Sequence, residues 1–116
     1  MRIDLDYPPT TNTMYPTGKN GKRRLSEKGR QYRNSVLACV LEQHGVFKPL
    51  EGNLKITIGL IPPDRRKRDL DNCFKAILDS LGYANCFLDD RQIKEIHGFM
   101  REPGKGGKCA VLIEQL

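Results

Sequence analysis

Asp69 and Asp71 stand two residues apart, directly after the basic run Arg65-Arg66-Lys67-Arg68, and Lys75 and Asp79 follow at four-residue steps. Two carboxylates at that spacing point the same way only on extended backbone, since on a helix they diverge by about 200°. Just before a helix, Asp69 and Asp71 would therefore face one site while Leu70 turns into the core. Taken alone, Asp71 suits the N-cap of the following helix and Asp69 suits a partner for its dipole. As a pair beside four consecutive cations they read better as functional groups. Lys75 and Asp79 lie one and two turns further along the same face. As surface salt bridges they would contribute about a few tenths of a kcal/mol; beside the carboxylates, the Lys75 ammonium could orient a phosphate or a water. A second acidic pair, Asp89-Asp90, opens the strand after the helix. Elements adjacent in sequence usually pack together, which would bring this pair towards Asp69 and Asp71. The plain alternative is that Asp89-Asp90-Arg91 forms an ordinary turn.

Carboxylates without His or Cys neighbours suit a hard, oxygen-seeking ion, Mg²⁺ with Mn²⁺ as a substitute. Carboxylate-held Mg²⁺ among Lys and Arg is equipment for phosphodiester hydrolysis: the ion activates water and the cations hold the backbone. Other chemistries find no support. His44 and His97 do not cluster, one sitting at a helix end and the other within a strand. Cys39, Cys73, Cys86 and Cys109 are widely spaced among apolar residues, which fits reduced core thiols better than zinc or disulfides. No G-x-x-x-x-G-K-S/T, G-x-S-x-G or G-x-G-x-x-G occurs, so no nucleotide cofactor is expected.

The elements that must position these residues fit in one domain spanning 1–116, given 116 residues of which 38% are hydrophobic and 29% charged. No apolar run approaches the ~20 residues a membrane span needs, and the alternating N-terminus reads as a strand instead of a signal peptide; a cytoplasmic protein is expected. Ile3, Leu5 and Tyr7 alternate with polar residues in a first strand, closed by Pro8-Pro9. Residues 10–24 lack periodicity and read as a long, functional loop. A helix starts with Ser26 as N-cap, runs to about Gln43, stops at Gly45 and buries Tyr32, Val36, Cys39 and Val40. Leu54, Ile56, Ile58 and Leu60 alternate in the clearest strand. Phe74, Ile77, Leu78 and Leu81 predict an amphipathic helix over 72–81, closed by Gly82. Residues 91–101 and 108–114 read as strands joined by a turn at Pro103–Gly107, the last apolar enough to be central. The order β-α-β-α-β-β predicts an α+β fold: a mixed β-sheet with helices packed on one face.

Charge points to a partner. Twenty Lys+Arg against fourteen Asp+Glu give a net +6. Within residues 17–33, Lys19, Lys22, Arg23, Arg24, Lys28, Arg30 and Arg33 face Glu27 alone. A basic, patchy domain meets nucleic acid; the competing account is a solvated surface that happens to be basic.

Several stretches together resemble the RusA family of phage and prophage Holliday-junction resolvases. They are Pro8-Pro9-Thr10-Thr11-Asn12, Leu25 to Arg33 entering the helix, Pro63 to Asn72, Lys75, Asp79, Phe87-Leu88-Asp89-Asp90 and a Gly-rich terminal hairpin, covering nearly the whole chain. The resemblance implies metal-binding acids at Asp69, Asp71 and Asp90, a catalytic lysine at Lys75, and support from Asn72, Asp79 and Asp89. It implies four-way junction DNA as partner, with contacts from Asn12, Lys22, Arg23, Arg24, Arg65, Arg66, Lys67 and Arg68. It further implies a homodimer that nicks two opposed strands. The loop Thr13-Met14-Tyr15-Pro16-Thr17-Gly18 departs from the family pattern in carrying few aromatic and basic residues. Two classes remain open at this point: a Mg²⁺-dependent junction endonuclease, and a DNA-binding module of the same fold that does not cut.

Overall fold

Leu54, Ile56, Ile58 and Leu60 are wholly buried, and the strand they build, β2 (Leu54–Ile61), is the spine of the sheet. The computed structural model describes residues 1–116. In it β2 pairs antiparallel with β4 (Lys108–Gln115) and parallel with β3 (Ile93–Met100). β4 pairs in turn, antiparallel, with β1 (Arg2–Leu5). The mixed sheet thus has the order β1-β4-β2-β3, and β4 is interior as its apolar run predicts. Ile3 and Leu5 on β1 and Cys109, Val111 and Ile113 on β4 are buried at alternate positions. Alternation puts them with the β2 residues on one face of the sheet.

Helices cover that face. α1 (Thr11–Met14), α2 (Glu27–His44) and α3 (Phe74–Tyr83) complete the set. The core joins Tyr32, Val36 and Val40 of α2 with Ile77 and Leu81 of α3 and the buried strand residues. α2 has the expected ends: Ser26 Oγ accepts from the Gly29 amide at 3.0 Å, and Gly45 takes φ 68°. All four cysteines are free thiols, three of them buried and Cys39 half-buried. Burial holds Cys73 and Cys86 up at about 11 and Cys109 up at about 12, so they stay protonated and inert. No helix is long and apolar enough to cross a membrane.

The order β-α-β-α-β-β holds, with four local corrections. First, the stretch 10–24 is not all loop. Thr10 caps α1 by accepting from the Thr13 amide at 3.2 Å, and Met14 is wholly buried; one apolar residue in a polar turn left no periodicity to read. Second, the expected terminal hairpin does not form, because β2 lies between β3 and β4. The connection instead crosses the end of β2, with Arg101 N donating to Leu60 O at 2.8 Å and Gly104 N to Pro62 O at 2.9 Å. Third, the predicted helix over 72–81 begins as a 3-10 turn, Leu70–Cys73, and α3 runs through Gly82 to Tyr83. The reversal falls at Asn85, whose φ is 62°. Leu70, expected in the core, is 38% exposed. Fourth, residues 90–92 form a 3-10 turn ahead of β3, not part of a strand.

One contact locks α3 to the sheet. A Cβ added at Gly98 on β3 would collide with Phe74 Cζ, so the ring of Phe74 rests directly on the glycine. Gly98→Val should therefore destabilise by about 1–3 kcal/mol through overpacking. Pairing it with Phe74→Ala should cost less than the two single changes together, as read by urea unfolding.

Candidate active site

The Phe74–Gly98 contact fixes the start of α3, and the 3-10 turn just ahead of it carries the first two acids. Asp69 occupies the N-cap position, extended at φ −80° and ψ 133°, yet its side chain makes no capping bond. Asp71 lies inside the first turn, so the backbone is not extended through both acids and the cap expected of Asp71 is absent. Both carboxylates are exposed and neither joins an ion pair. Asp69 lines an open cavity of about 530 Å³ together with Tyr7, Thr10, Lys67, Arg68 and Asn72.

Arg68 is organised from three sides at that cavity. Its Nη1 lies 2.8 Å from Asp64 Oδ1 and donates at 3.1 Å to the carbonyls of Asp64 and Arg66, while its guanidinium carbon sits 5.8 Å from the Tyr7 ring centroid. The Arg68 hydrogen bond, then the Arg66 amide, hold the Asp64 carboxyl down at about 2. Arg66 also pairs with Asp64 at 3.3 Å and Arg65 with Glu102 at 3.4 Å, whereas Lys67 is exposed and joins no ion pair. Asn72 takes its place through the backbone. Its amide donates to Asp69 O at 3.3 Å, and its carbonyl accepts from Thr11 Oγ1 at 2.9 Å, which ties α1 to the acidic turn.

Lys75 and Asp79 lie along the exposed side of α3, 3.4 Å apart at Nζ and Oδ2. Tyr15 Oη donates to the same Oδ2 at 2.5 Å, and Lys75 Nζ sits 5.5 Å from the Tyr15 ring centroid. Burial, then the bond to Asp79, raises the Tyr15 hydroxyl well above the ordinary phenol range, so it remains a donor. Asp79 is thus gripped from both sides, and it holds the Lys75 ammonium in turn.

Asp90 opens the turn before β3 and is exposed. It lines a different cavity from Asp69, shared with Asp79 and Tyr83 of the later part of α3. The chain brings no group of three His, Cys, Asp or Glu side chains together around one point. The cause is topological. α3 connects parallel strands, so β3 begins at the opposite end of the helix from the end of β2, a distance of roughly 15 Å for ten residues. Asp89 serves the turn itself, accepting from the Arg91 amide at 2.8 Å in a capping box with Gln92 and pairing with the Arg91 guanidinium at 2.8 Å. Arg91 holds its carboxyl down at about 2. Asn12, Lys22, Arg23 and Arg24 are exposed on α1 and the following loop, where Thr17 and Arg23 form a β-bridge. The sequence alone gives Tyr15, Asp64 and Tyr83 no role and counts Arg33 only as one cation of the 17–33 stretch. Tyr15 and Tyr83 had one available signal, an aromatic residue without a place in any apolar stripe.

The Asp64 carboxylate gives a pH prediction. Its folded-state pKa lies below the unfolded value of about 3.9, so its contribution is fully present above about pH 4 and is lost as pH falls through about 2. Asp64→Asn should flatten the loss of stability between pH 4 and pH 2, measured by urea midpoints across that window. An acid limb identical to wild type would show that the Asp64–Arg68 pair contributes nothing.

Comparison with known proteins identifies the family. The family model described as "Endodeoxyribonuclease RusA" matches residues 6–114. The crossover junction endodeoxyribonuclease RusA of Escherichia coli strain K12 is 34% identical over 114 residues, covering 98% of this chain and 93% of its own. That of Enterobacteria phage 82 shows the same identity and coverage. That of Enterobacteria phage HK97 is 34% identical over 113 residues, covering 97% and 92%. A match over nearly the full length, on a mixed four-stranded sheet with the acids exposed around α3, places the chain in the RusA family of endodeoxyribonucleases.

Proposed function

We propose that the protein is a crossover junction endodeoxyribonuclease that resolves four-way DNA junctions by Mg²⁺-dependent hydrolysis. It acts as a homodimer during recombination and repair, in the cytoplasm of a bacterial or phage-infected cell. The observation that carries this reading is a pair of exposed, unpaired carboxylates, Asp69 and Asp71, beside an arginine already organised by its own carboxylate. A structural role as caps would have engaged those acids, and it does not.

The donor set fits a hard divalent ion. Mg²⁺ keeps several waters and is usually held by one or two carboxylates plus substrate phosphates, not by an all-protein cage. Asp69 and Asp71 supply such a pair; family likeness marks Asp90 as a further acid, which lines a separate cavity at the other end of α3. A bound ion would lower the pKa of water and neutralise charge developing on the phosphate. Arg68 and Lys67 hold the DNA backbone at the Asp69 cavity. Lys75, steadied by Asp79 and Tyr15, directs its ammonium towards the phosphate in the transition state.

Replacing Asp71 by Asn should abolish cleavage of a synthetic four-way junction while leaving junction binding intact, and EDTA should do the same to wild type. Because Asp71 caps nothing, loss of fold cannot mimic the effect. Lys75→Ala should lower the cleavage rate more than the affinity, since a cation acting in the transition state shows in kcat. A D71N protein that cuts at the wild-type rate refutes the assignment. Binding without any cleavage by wild type would favour the non-cutting DNA-binding module.

The dimer follows from the substrate. A four-way junction is resolved by two symmetric cuts, and one chain offers a single acidic turn; a two-fold pair of chains meets that symmetry most simply. Light scattering should give twice the chain mass at working concentration, and a cruciform plasmid should be mainly linearised by paired cuts. Mainly single nicks from a monomer would overturn it.

A further inference from the structure

Arg33 is the one cation of the 17–33 stretch that is half-buried, the others being exposed. It projects from α2 towards α3, with its guanidinium carbon 4.1 Å from the Tyr83 ring centroid. Its Nε is buried and has no hydrogen-bond partner. Asp79 and Asp90 line the same cavity of about 340 Å³, yet Arg33 forms an ion pair with neither. Asp79 is already held by Tyr15 and Lys75. A buried donor without a protein partner is costly, and a water or a ligand reaching the guanidinium from the cavity would offset that cost. The Tyr83 ring holds the guanidinium at 4.1 Å without using an N–H, which leaves its two Nη groups as a fork of donors at the cavity. That fork matches a phosphate, which accepts two parallel hydrogen bonds from one arginine.

We propose that Arg33 is a phosphate clamp, binding a backbone phosphodiester of the DNA strand that enters between α2 and the Asp90 turn. The proposal rests on the DNA-cutting reading above and adds a contact on the packed side of α2, apart from the exposed cations of both basic runs. Its position on a packed helix gives it a role those runs cannot have. The clamp fixes the strand in register with Asp90, whereas an exposed lysine attracts the strand without orienting it. The alternative is that Arg33 only staples α2 to α3 through Tyr83.

Single neutral methylphosphonates placed along each strand near the crossover separate the two. Binding is read by fluorescence anisotropy with Ca²⁺ in place of Mg²⁺, so that no cleavage is needed. At one phosphate, neutralisation should weaken wild-type binding roughly tenfold, the scale of one charged hydrogen-bonded contact. The same substitution should cost Arg33→Gln nothing further, and the salt slope of that variant should fall by about 0.9. If R33Q does not fold, Arg33→Lys keeps the charge but not the fork and should show a clearly smaller penalty at that phosphate. A variant as sensitive as wild type at every position overturns the clamp. Failure of the parent reading looks different. A wild-type protein that binds duplex and junction alike and cuts neither is no resolvase, and the same scan on methylphosphonate duplex still decides the role of Arg33. A protein that binds no DNA overturns both.

Discussion

The parallel pairing of β2 with β3 is the constraint from which the rest of the molecule follows. Parallel neighbours cannot be joined by a tight turn, so the chain must travel back along the sheet before it can pair again. α3 is that return. It buries Ile77 and Leu81 in the core with the strand residues and leaves Lys75 and Asp79 on its outer side. The turn that enters it carries Asp69 and Asp71, and the turn that leaves it towards β3 carries Asp90. The candidate site is accordingly a strip along one helix, with acids at both ends and a lysine between them. Phe74 resting on Gly98 keeps that strip in register with the sheet beneath.

Charge is sorted along the strip by what each carboxylate already holds. Asp64 engages Arg66 and Arg68, Asp79 engages Lys75, and Asp89 engages Arg91. Such exposed pairs contribute little to stability. What they do is set the direction of a cation that would otherwise wander. Asp69, Asp71 and Asp90 join no ion pair, though Arg68 stands beside Asp69 and Arg91 beside Asp90. In a chain of net charge +6, carboxylates left free among arginines keep their oxygens for another cation. The two classes of acid have the same chemistry and different surroundings, and only the surroundings separate them.

That distinction explains what could be read from the sequence and what could not. Capping residues and periodicity are local, so Ser26, Gly45 and the alternation from Leu54 to Leu60 marked α2 and β2 correctly. Alternation also tells which face of a strand is buried. It does not tell which strand lies beside it, and β3 and β4 were therefore read as a hairpin although β2 separates them. The spacing of Asp69 and Asp71 suggested shared orientation on extended backbone, but that depended on where the helical turn began, and it begins at Leu70. Family likeness marked the three acids and Lys75 without the geometry that separates Asp90 from the others. The supports from elsewhere in the chain, Tyr15 on Asp79 and Tyr83 under Arg33, are contacts between residues some fifty or more apart in sequence. No local pattern encodes such pairs.

The stretch 10–24 shows why length alone is a poor guide to what a loop does. Its first part is anchored at four points: Met14 is buried, Ser26 Oγ donates to Thr13 O at 2.7 Å, Thr11 reaches the Asn72 carbonyl, and Tyr15 grips Asp79. This half braces both the acidic turn and, through Asp79, the lysine of the candidate site. The second half, with Lys19, Lys22, Arg23 and Arg24, is exposed and organised only by the bridge from Thr17 to Arg23. Exposed cations of that kind add attraction that is independent of sequence and weakens with salt. Held cations such as Arg68 and Arg33 can instead fix where a phosphate sits. Under the proposed reading a junction-cutting enzyme needs both, long-range capture and then placement of one bond, and this stretch would supply the two together, exposed cations following a base braced against the acidic turn and Lys75.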